Sequence, residues 1–201
     1  MKSKIIKSFN DIELLDSING INIDIIENRA KAIQDNTSDK ESWRYRSFDG
    51  FLGENETFKE RLEKDWNLLE NWNKENNFTI NHMTLSTILK EIINQCEQNR
   101  NDLGFDNNDD IELYITKNIF NGFQYSLFWN ESSKKEKSFW NTKWNVEYNV
   151  VNVKTQKQII ISGDSNAGII QYIEYLGFYE GDENNQYRIN PINLILLLLN
   201  K

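Results

Sequence analysis

Cysteine and histidine are almost absent from this 201-residue sequence, which contains one residue of each. The single cysteine, Cys96, has no second cysteine with which to form a disulfide inside the chain. Zinc sites are built mainly from several Cys and His ligands, so Cys96 and His82 cannot form one from this chain alone. The spacings of an EF-hand, a P-loop, a GxGxxG turn and a CxxC motif are also missing. We therefore predict no bound metal ion and no cofactor.

Long apolar runs are missing as well. The most apolar stretch, INLILLLL at residues 192–199, is far shorter than the roughly 20 residues that span a bilayer. The first residues, MKSKIIKSFNDIE, lack the apolar core of a signal peptide. These absences predict a cytoplasmic protein without a membrane segment.

Negative charge predominates, because 31 Asp and Glu against 23 Lys and Arg give a formal net charge of −8. A surface of this sign repels phosphate backbones, which makes nucleic acid an unfavourable partner. Residues 132–144 combine lysines with aromatic residues and suit a single nucleic-acid strand. The same composition fits a solvated loop that leads into a strand, and we favour this interpretation. A basic protein is the partner that the overall charge favours.

The spacing of apolar residues changes along the chain. Helical spacing dominates about 1–100, β-rich runs fill about 110–162, and helical spacing returns over about 164–201. The strongest amphipathic helix is predicted within residues 55–72. Its apolar positions are Phe58, Leu62, Trp66, Leu69 and Trp72. The predicted fold class is α+β in a single domain over 1–201: N-terminal helices, a central four-stranded antiparallel sheet in meander order, and C-terminal helices.

A hairpin is predicted at the start of the sheet. Asn-Gly at 121–122 joins the β-rich runs 111–120 and 123–129, and this dipeptide favours a two-residue hairpin turn. Residues 144–162 add two strands with a turn near Thr155. Apolar residues occur on both faces of the predicted hairpin. Either both faces are covered, or one of them meets a partner.

The stretch GDSNA at residues 163–167 approximates the G-x-S-x-G turn that presents the nucleophile of serine hydrolases. A serine nucleophile needs a general base, and in that fold the histidine follows the serine. No histidine follows Ser165. We reject the hydrolase interpretation and predict that Asp164 or Ser165 caps the next helix.

An unusual loop, SWRYRSFDG at 42–50, alternates aromatic residues with arginines. Its candidate binding residues are Trp43, Arg44, Tyr45 and Arg46. Aromatic residues and arginine are typical of binding hot spots. Alternatively, the aromatics anchor the loop to the core while the arginines pair with nearby acids.

The final helix is predicted to begin at Asn190-Pro191, where asparagine caps and proline occupies the first helical position. The residues after it are apolar nearly all round. Such a helix is either deeply buried or part of an interface between copies of the chain, which makes residues 191–199 a candidate homo-oligomer contact.

Residues 172–191, YIEYLGFYEGDENNQYRINP, resemble the C-terminal segment of small uncharacterised bacterial proteins with the pattern GFYEG…YR-[VI]-[DN]-P. The matching positions are Gly177, Phe178, Tyr179, Glu180, Gly181, Tyr187, Arg188, Asn190 and Pro191. The resemblance implies no catalytic residue. We interpret Tyr179, Glu180 and Arg188 as candidate binding residues and predict an ion pair between Glu180 and Arg188.

Two functions are consistent with these observations. The first is a protein-binding module, in one form an immunity or antitoxin-like protein whose acids mask a basic toxin. The alternative is a small-molecule enzyme without a recognisable motif that uses His82 or the Arg44/Arg46 loop on an anionic substrate. His82 lies near a predicted helix start, which favours a surface or capping role over a catalytic one. The lack of a catalytic motif favours the binding module.

Overall fold

Helices and an antiparallel sheet form the part of the chain that the structure, a computed structural model, describes. The described residues are 22–34, 52–53, 55–98, 102–103, 111–119, 127, 146–163, 168–183, 185 and 188–199. The helices are α1 (Ile23–Gln34), α2 (Phe58–Asn76), α3 (His82–Glu97), α4 (Ile169–Leu176) and α5 (Pro191–Leu198). The strands are β1 (Asp102–Leu103), β2 (Ile111–Ile119), β3 (Val146–Asn152) and β4 (Gln158–Ser162). The predicted α+β class is confirmed.

The longest helix, α2, begins and ends at residues suited to those positions. Thr57 and Glu60 form a capping box, in which each side chain accepts a hydrogen bond from the backbone N–H of the other residue. Asn77 ends the helix in the left-handed conformation, with φ 57°. The buried residues of α2 are Phe58, Arg61, Leu62, Asp65 and Leu69. Two of these, Arg61 and Asp65, are charged, so α2 places charged side chains within the core.

α4 begins later than the sequence predicts. Its N-cap is Gly168, with φ 68° and no side-chain hydrogen bond to the helix. The prediction that Asp164 or Ser165 caps this helix is therefore wrong, because the chain enters it through a positive φ that favours glycine. Ser165 itself lies outside the described residues.

α5 begins as predicted. The Asn190 side chain accepts hydrogen bonds from the N–H groups of Ile192 and Asn193, and Pro191 occupies the first turn. The buried residues of this helix are Pro191, Leu194, Ile195 and Leu197. Much of its apolar surface thus packs within the chain, and the homo-oligomer contact through 191–199 stays a prediction.

The sheet contains three long antiparallel strands, β2, β3 and β4, in meander order. Between β2 and β3, the outermost residue pairs are Leu113 with Asn152 and Ile119 with Val146. Between β3 and β4, they are Glu147 with Ser162 and Val151 with Gln158. The two-residue β1 pairs only with the start of β2. The predicted strand 123–129 lies outside the described residues except for Leu127, which is in a turn. The described residues thus show three long strands, and a fourth long strand stays a prediction. Because β2 pairs directly with β3, the predicted meander with a strand between them is wrong.

The core lies between this sheet and the helices. Alternate residues of β3 are buried, as expected for a strand with one face on the core. α3 packs against β1 and β2, and α5 packs against β3 and β4. Asn152 fixes the β3–β4 turn: its Oδ1 accepts from the N–H groups of Lys154 and Thr155, and its Nδ2 donates to the carbonyl of Leu197.

Within these described ranges, no helix has the length and apolar character that a membrane crossing requires. The hairpin turn at 121–122 and the lysine-rich stretch 132–144 lie outside the described residues. The single-domain organisation stays a prediction.

Candidate functional site

A buried ion cluster centred on Asp65 connects α2 to the segment that follows α4. Asp65 Oδ1 accepts hydrogen bonds from Nη2 of Arg61 at 2.9 Å and from Nη2 of Arg188 at 2.5 Å. Its Oδ2 accepts from Nη1 of Arg188 at 3.3 Å and from the backbone N–H of Tyr179 at 3.2 Å. Asp65 is fully buried, so these donors replace the water that would solvate an exposed carboxylate.

A second buried contact lies beside this cluster, between His82 at the start of α3 and Tyr179. His82 Nδ1 lies 2.7 Å from the Tyr179 hydroxyl oxygen, and the tautomer of the ring decides which group donates. The His82 and Trp66 rings pack with their centroids 4.1 Å apart. Trp66 Nε1 donates to the carbonyl of Leu176 at 2.8 Å. These contacts join α2, α3 and the end of α4.

Burial keeps both partners of this contact neutral. It lowers the pKa of His82 to about 4. It also raises the pKa of Tyr179 well above the usual tyrosine range; Asp65 adds to the rise and Arg188 opposes it. The predicted surface position of His82 is therefore wrong. A buried imidazole with this pKa is poorly suited to act as a general base near neutral pH.

Glycine at position 177 allows this close packing. Gly177 has φ 68°, and an added Cβ would lie 2.6 Å from Trp66 Nε1 and 2.8 Å from His82 Cδ2. No side chain fits at that distance, and a positive φ also disfavours other residues. The glycine of the GFYEG segment therefore has a structural role here.

The structure places the predicted binding residues of this segment inside the protein. Tyr179 and Arg188 meet at Asp65, and Glu180 is fully buried with φ 63°. The predicted ion pair between Glu180 and Arg188 is wrong, because the carboxylate that Arg188 contacts is Asp65. The fully buried carboxylate of Asp65 needs a nearby cation, and Arg188 supplies that cation. A partner has no access to Tyr179 or Glu180 in this arrangement.

The other predicted binding residues, Trp43, Arg44, Tyr45 and Arg46, lie outside the described residues. Arg61 and Asp65, the α2 members of the cluster, were not among the residues predicted from the sequence. The sequence feature that could have revealed them is their position: they are four residues apart on the apolar side of α2, next to Leu62 and Leu69. Opposite charges at helical spacing within an apolar stripe indicate a buried ion pair.

A solvent-open pocket lies at the start of α2. Its volume is about 320 Å³. Its lining residues are Asn55, Glu56, Glu60, Glu63, Lys64 and Asn67. Three carboxylates and one ammonium give this lining a net charge of −2.

The carboxylates of this acidic pocket differ in their surroundings. The Glu56 side chain is only 4% exposed; Oε2 accepts from the N–H of Gly53 and Oε1 accepts from Lys64 Nζ. Hydrogen bonds from the backbone and side chain of Thr57 lower the pKa of Glu60. Glu63 is exposed and makes no hydrogen bond or ion pair within the described part of the chain. Glu63 is thus the carboxylate that is available to a ligand.

Exposed apolar side chains lie on α2 and directly after it. Leu68, one turn beyond Lys64, is exposed. Trp72 and Phe78 stack with their ring centroids 5.1 Å apart, and Phe78 is also exposed. Leu68 thus lies next to the acidic pocket, whereas Trp72 and Phe78 lie at the other end of α2.

Among the residues that the structure describes, no three His, Cys, Asp or Glu side chains are grouped so as to hold a metal ion. No protein-family model, curated protein or solved structure matches this chain. The resemblance of residues 172–191 to small bacterial proteins stays a prediction.

Proposed function

We propose that this chain is a protein-binding module for a basic partner, in the manner of an immunity or antitoxin-like protein. The observation that carries the proposal is the acidic pocket on α2, which is open to solvent and has Glu63 free on its wall. A volume of about 320 Å³ is enough for one lysine or arginine side chain. A net charge of −8 attracts a basic protein from a distance and accelerates its association.

The neighbouring side chains support this proposal. Glu56 and Glu60 are already held in place by Gly53, Lys64 and Thr57, so little side-chain entropy is lost when a cation binds. Leu68, one turn beyond Lys64, offers apolar contact beside the charged groups. An apolar contact with a charged rim is typical of protein-binding surfaces.

The proposal is tested by affinity capture with a matched pair of variants. The tagged protein, Glu63→Lys and Glu70→Lys are each used to capture partners from lysate of the source cells, at low and high salt. Both variants make the same change of charge on exposed positions of α2, but Glu70 does not line the acidic pocket.

We expect a basic protein in near-stoichiometric amount with the unmodified chain and with Glu70→Lys, and its loss with Glu63→Lys and at high salt. Equal capture by both variants would show that the acidic pocket is not the binding surface. Absence of any stoichiometric partner of the folded bait would contradict the proposed function.

A further inference from the structure

Lys64 places its ammonium group against the most buried carboxylate of the acidic pocket. Its Nζ lies 2.5 Å from Oε1 of Glu56. The two residues are eight positions apart in the chain. Lys64 reaches back to Glu56 because helical side chains lean toward the N-terminus of their helix. A cation that enters the pocket therefore meets a position that the chain itself already fills.

Contacts other than Lys64 hold Glu56 in place. Its Oε2 accepts a hydrogen bond from the N–H of Gly53 at 2.8 Å, and its own N–H donates to the carbonyl of Gly53 at 3.1 Å. A Cβ added at position 53 would lie 2.7 Å from this Oε2, so glycine makes room for the carboxylate. Arg61 Nη1 lies 3.8 Å from the same oxygen. Because these contacts involve Oε2 and the backbone, Glu56 keeps its position when Lys64 leaves Oε1.

The two partners of this ion pair differ in exposure. The side chain of Glu56 is 4% exposed, whereas that of Lys64 is 64% exposed. A lysine that lies mostly in solvent loses side-chain entropy when it holds one position, and ion pairs of this kind contribute little to stability. Lys64 can therefore leave Oε1 at low cost. The buried carboxylate of Glu56 then needs another donor in its place.

Arginine is the side chain best able to replace Lys64. A lysine of a partner would exchange one ammonium for another, and Lys64 has the advantage of being tethered to the pocket. A guanidinium presents five N–H donors in one plane and can contact two carboxylates at once. Glu63 lines the same pocket and is exposed, which makes it the second carboxylate for such a guanidinium.

We propose that Lys64 is an intramolecular occupant of the partner's binding position, and that an arginine side chain of the basic partner displaces it from Glu56. This inference rests on the proposed protein-binding function and specifies the chemistry of that same pocket. In the free protein, Lys64 neutralises part of the charge of the pocket. In the complex, its ammonium moves into solvent and the guanidinium contacts Glu56 and Glu63. The pocket thus selects arginine over lysine.

The test is an NMR titration with the peptide acetyl-Gly-Arg-Gly-amide and with its lysine counterpart. The amide signals of Gly53, Glu60 and Glu63 report binding at the pocket, and the ¹⁵N signal of Lys64 Nζ reports displacement. We expect the arginine peptide to bind roughly fivefold more tightly than the lysine peptide. Its binding should also move the Lys64 Nζ signal toward the value of a lysine in free solution.

Two substitutions of Lys64 separate displacement from a simple effect of charge. Lys64→Gln removes the competing ammonium and should tighten binding of both peptides by roughly fivefold. Lys64→Arg keeps the charge but places a stronger competitor on Glu56, so it should weaken binding by roughly the same factor. The controls are Lys74→Gln and Lys74→Arg, because Lys74 pairs with the exposed Glu70 on the same helix and does not line the pocket. Both controls should bind like the unmodified protein.

Three results would overturn the proposal. Equal binding by the unmodified protein and Lys64→Arg would show that only the charge of Lys64 matters. Equal affinity for the two peptides would exclude selection of arginine. Absence of peptide binding at the pocket would show that no cation replaces Lys64 there.

The outcome for the proposed function is read separately. If capture finds a partner that depends on Glu63 but the Lys64 variants bind the peptides alike, the proposed function stands and displacement of Lys64 is wrong. If the Lys64 variants behave as expected but capture finds no partner, the pocket binds arginine and the proposed function fails.

Discussion

The carboxylate of Asp65 on α2 forms a two-point ion pair with the guanidinium of Arg188, 123 residues further along the chain. Both side chains are almost wholly buried. Arg61 shares the same carboxylate from one turn earlier on α2. One negative charge therefore supports two buried positive charges. Its removal leaves Arg188 without an ion-pair partner among the described residues, and leaves Arg61 with Glu56 alone, whose Oε2 lies 3.8 Å from Arg61 Nη1.

Asp65→Asn is expected to destabilise the fold strongly. Breaking a buried ion pair by removing one partner costs about 3–5 kcal/mol, because the remaining charge stays buried and uncompensated. The free energy of unfolding in urea measures this loss. The control is Glu70→Gln, which removes an exposed partner of Lys74 and should cost about 0.5 kcal/mol or less. Equal small losses in both variants would show that the Asp65 cluster contributes little to stability.

Acid should destabilise the protein partly through His82. The ordinary pKa of 6.5 applies to the unfolded chain, whereas burial lowers the pKa in the folded protein to about 4. Between these values the unfolded chain binds more protons, so stability is complete above pH 6.5 and falls as the pH drops toward 4. Once His82 is protonated in the folded protein as well, the free energy of unfolding has fallen by about 3 kcal/mol.

The measurement is urea unfolding of the wild type and of His82→Gln across this pH range. The variant has no titrating group at this position, so the difference in unfolding free energy between the two proteins should shrink or reverse as the pH falls. Carboxylates elsewhere titrate in both proteins and cancel in the comparison. Parallel pH profiles would contradict a buried neutral His82.

The helices and the sheet show which features can be predicted from sequence. Apolar residues at helical spacing predicted α2, and Asn190-Pro191 predicted the start of α5, because both depend on neighbours within a few residues. The alternation of Val146, Tyr148 and Val150 likewise predicted β3. Local patterns of this kind determine where elements lie.

The buried cluster was not predicted, because it depends on contacts between distant residues. Arg188 was paired with Glu180 in the prediction since the two are close in sequence, yet Asp65 is its partner in the fold. Periodicity places Asp65 on the buried side of α2 but does not state which cation reaches it. The surface position predicted for His82 failed for the same reason, because Trp66 and Tyr179 cover it from other elements.

Gly177→Ala should destabilise the protein by about 2–4 kcal/mol, because backbone strain at a positive φ adds to overpacking against Trp66 and His82. The unfolding free energy measures the cost, and tryptophan fluorescence reports displacement of Trp66. Asn77→Ala is the control, since Asn77 also has a left-handed φ of 57° but ends a helix at the surface. We expect it to cost about 1 kcal/mol. A cost for Gly177→Ala no greater than this would exclude overpacking.

Thr57→Ala should weaken the start of α2 by about 1 kcal/mol, because the Thr57 hydroxyl no longer accepts from the N–H of Glu60. The loss should stay near this value, since the carboxylate of Glu27 on α1 independently accepts from the N–H groups of Phe58 and Lys59. Urea unfolding measures the stability that Thr57→Ala loses. Thr87→Ala serves as the control: Thr87 is exposed within α3, and its hydroxyl only donates to a carbonyl four residues earlier. If the two variants lose the same stability, the capping box contributes nothing beyond the loss of a threonine from a helix.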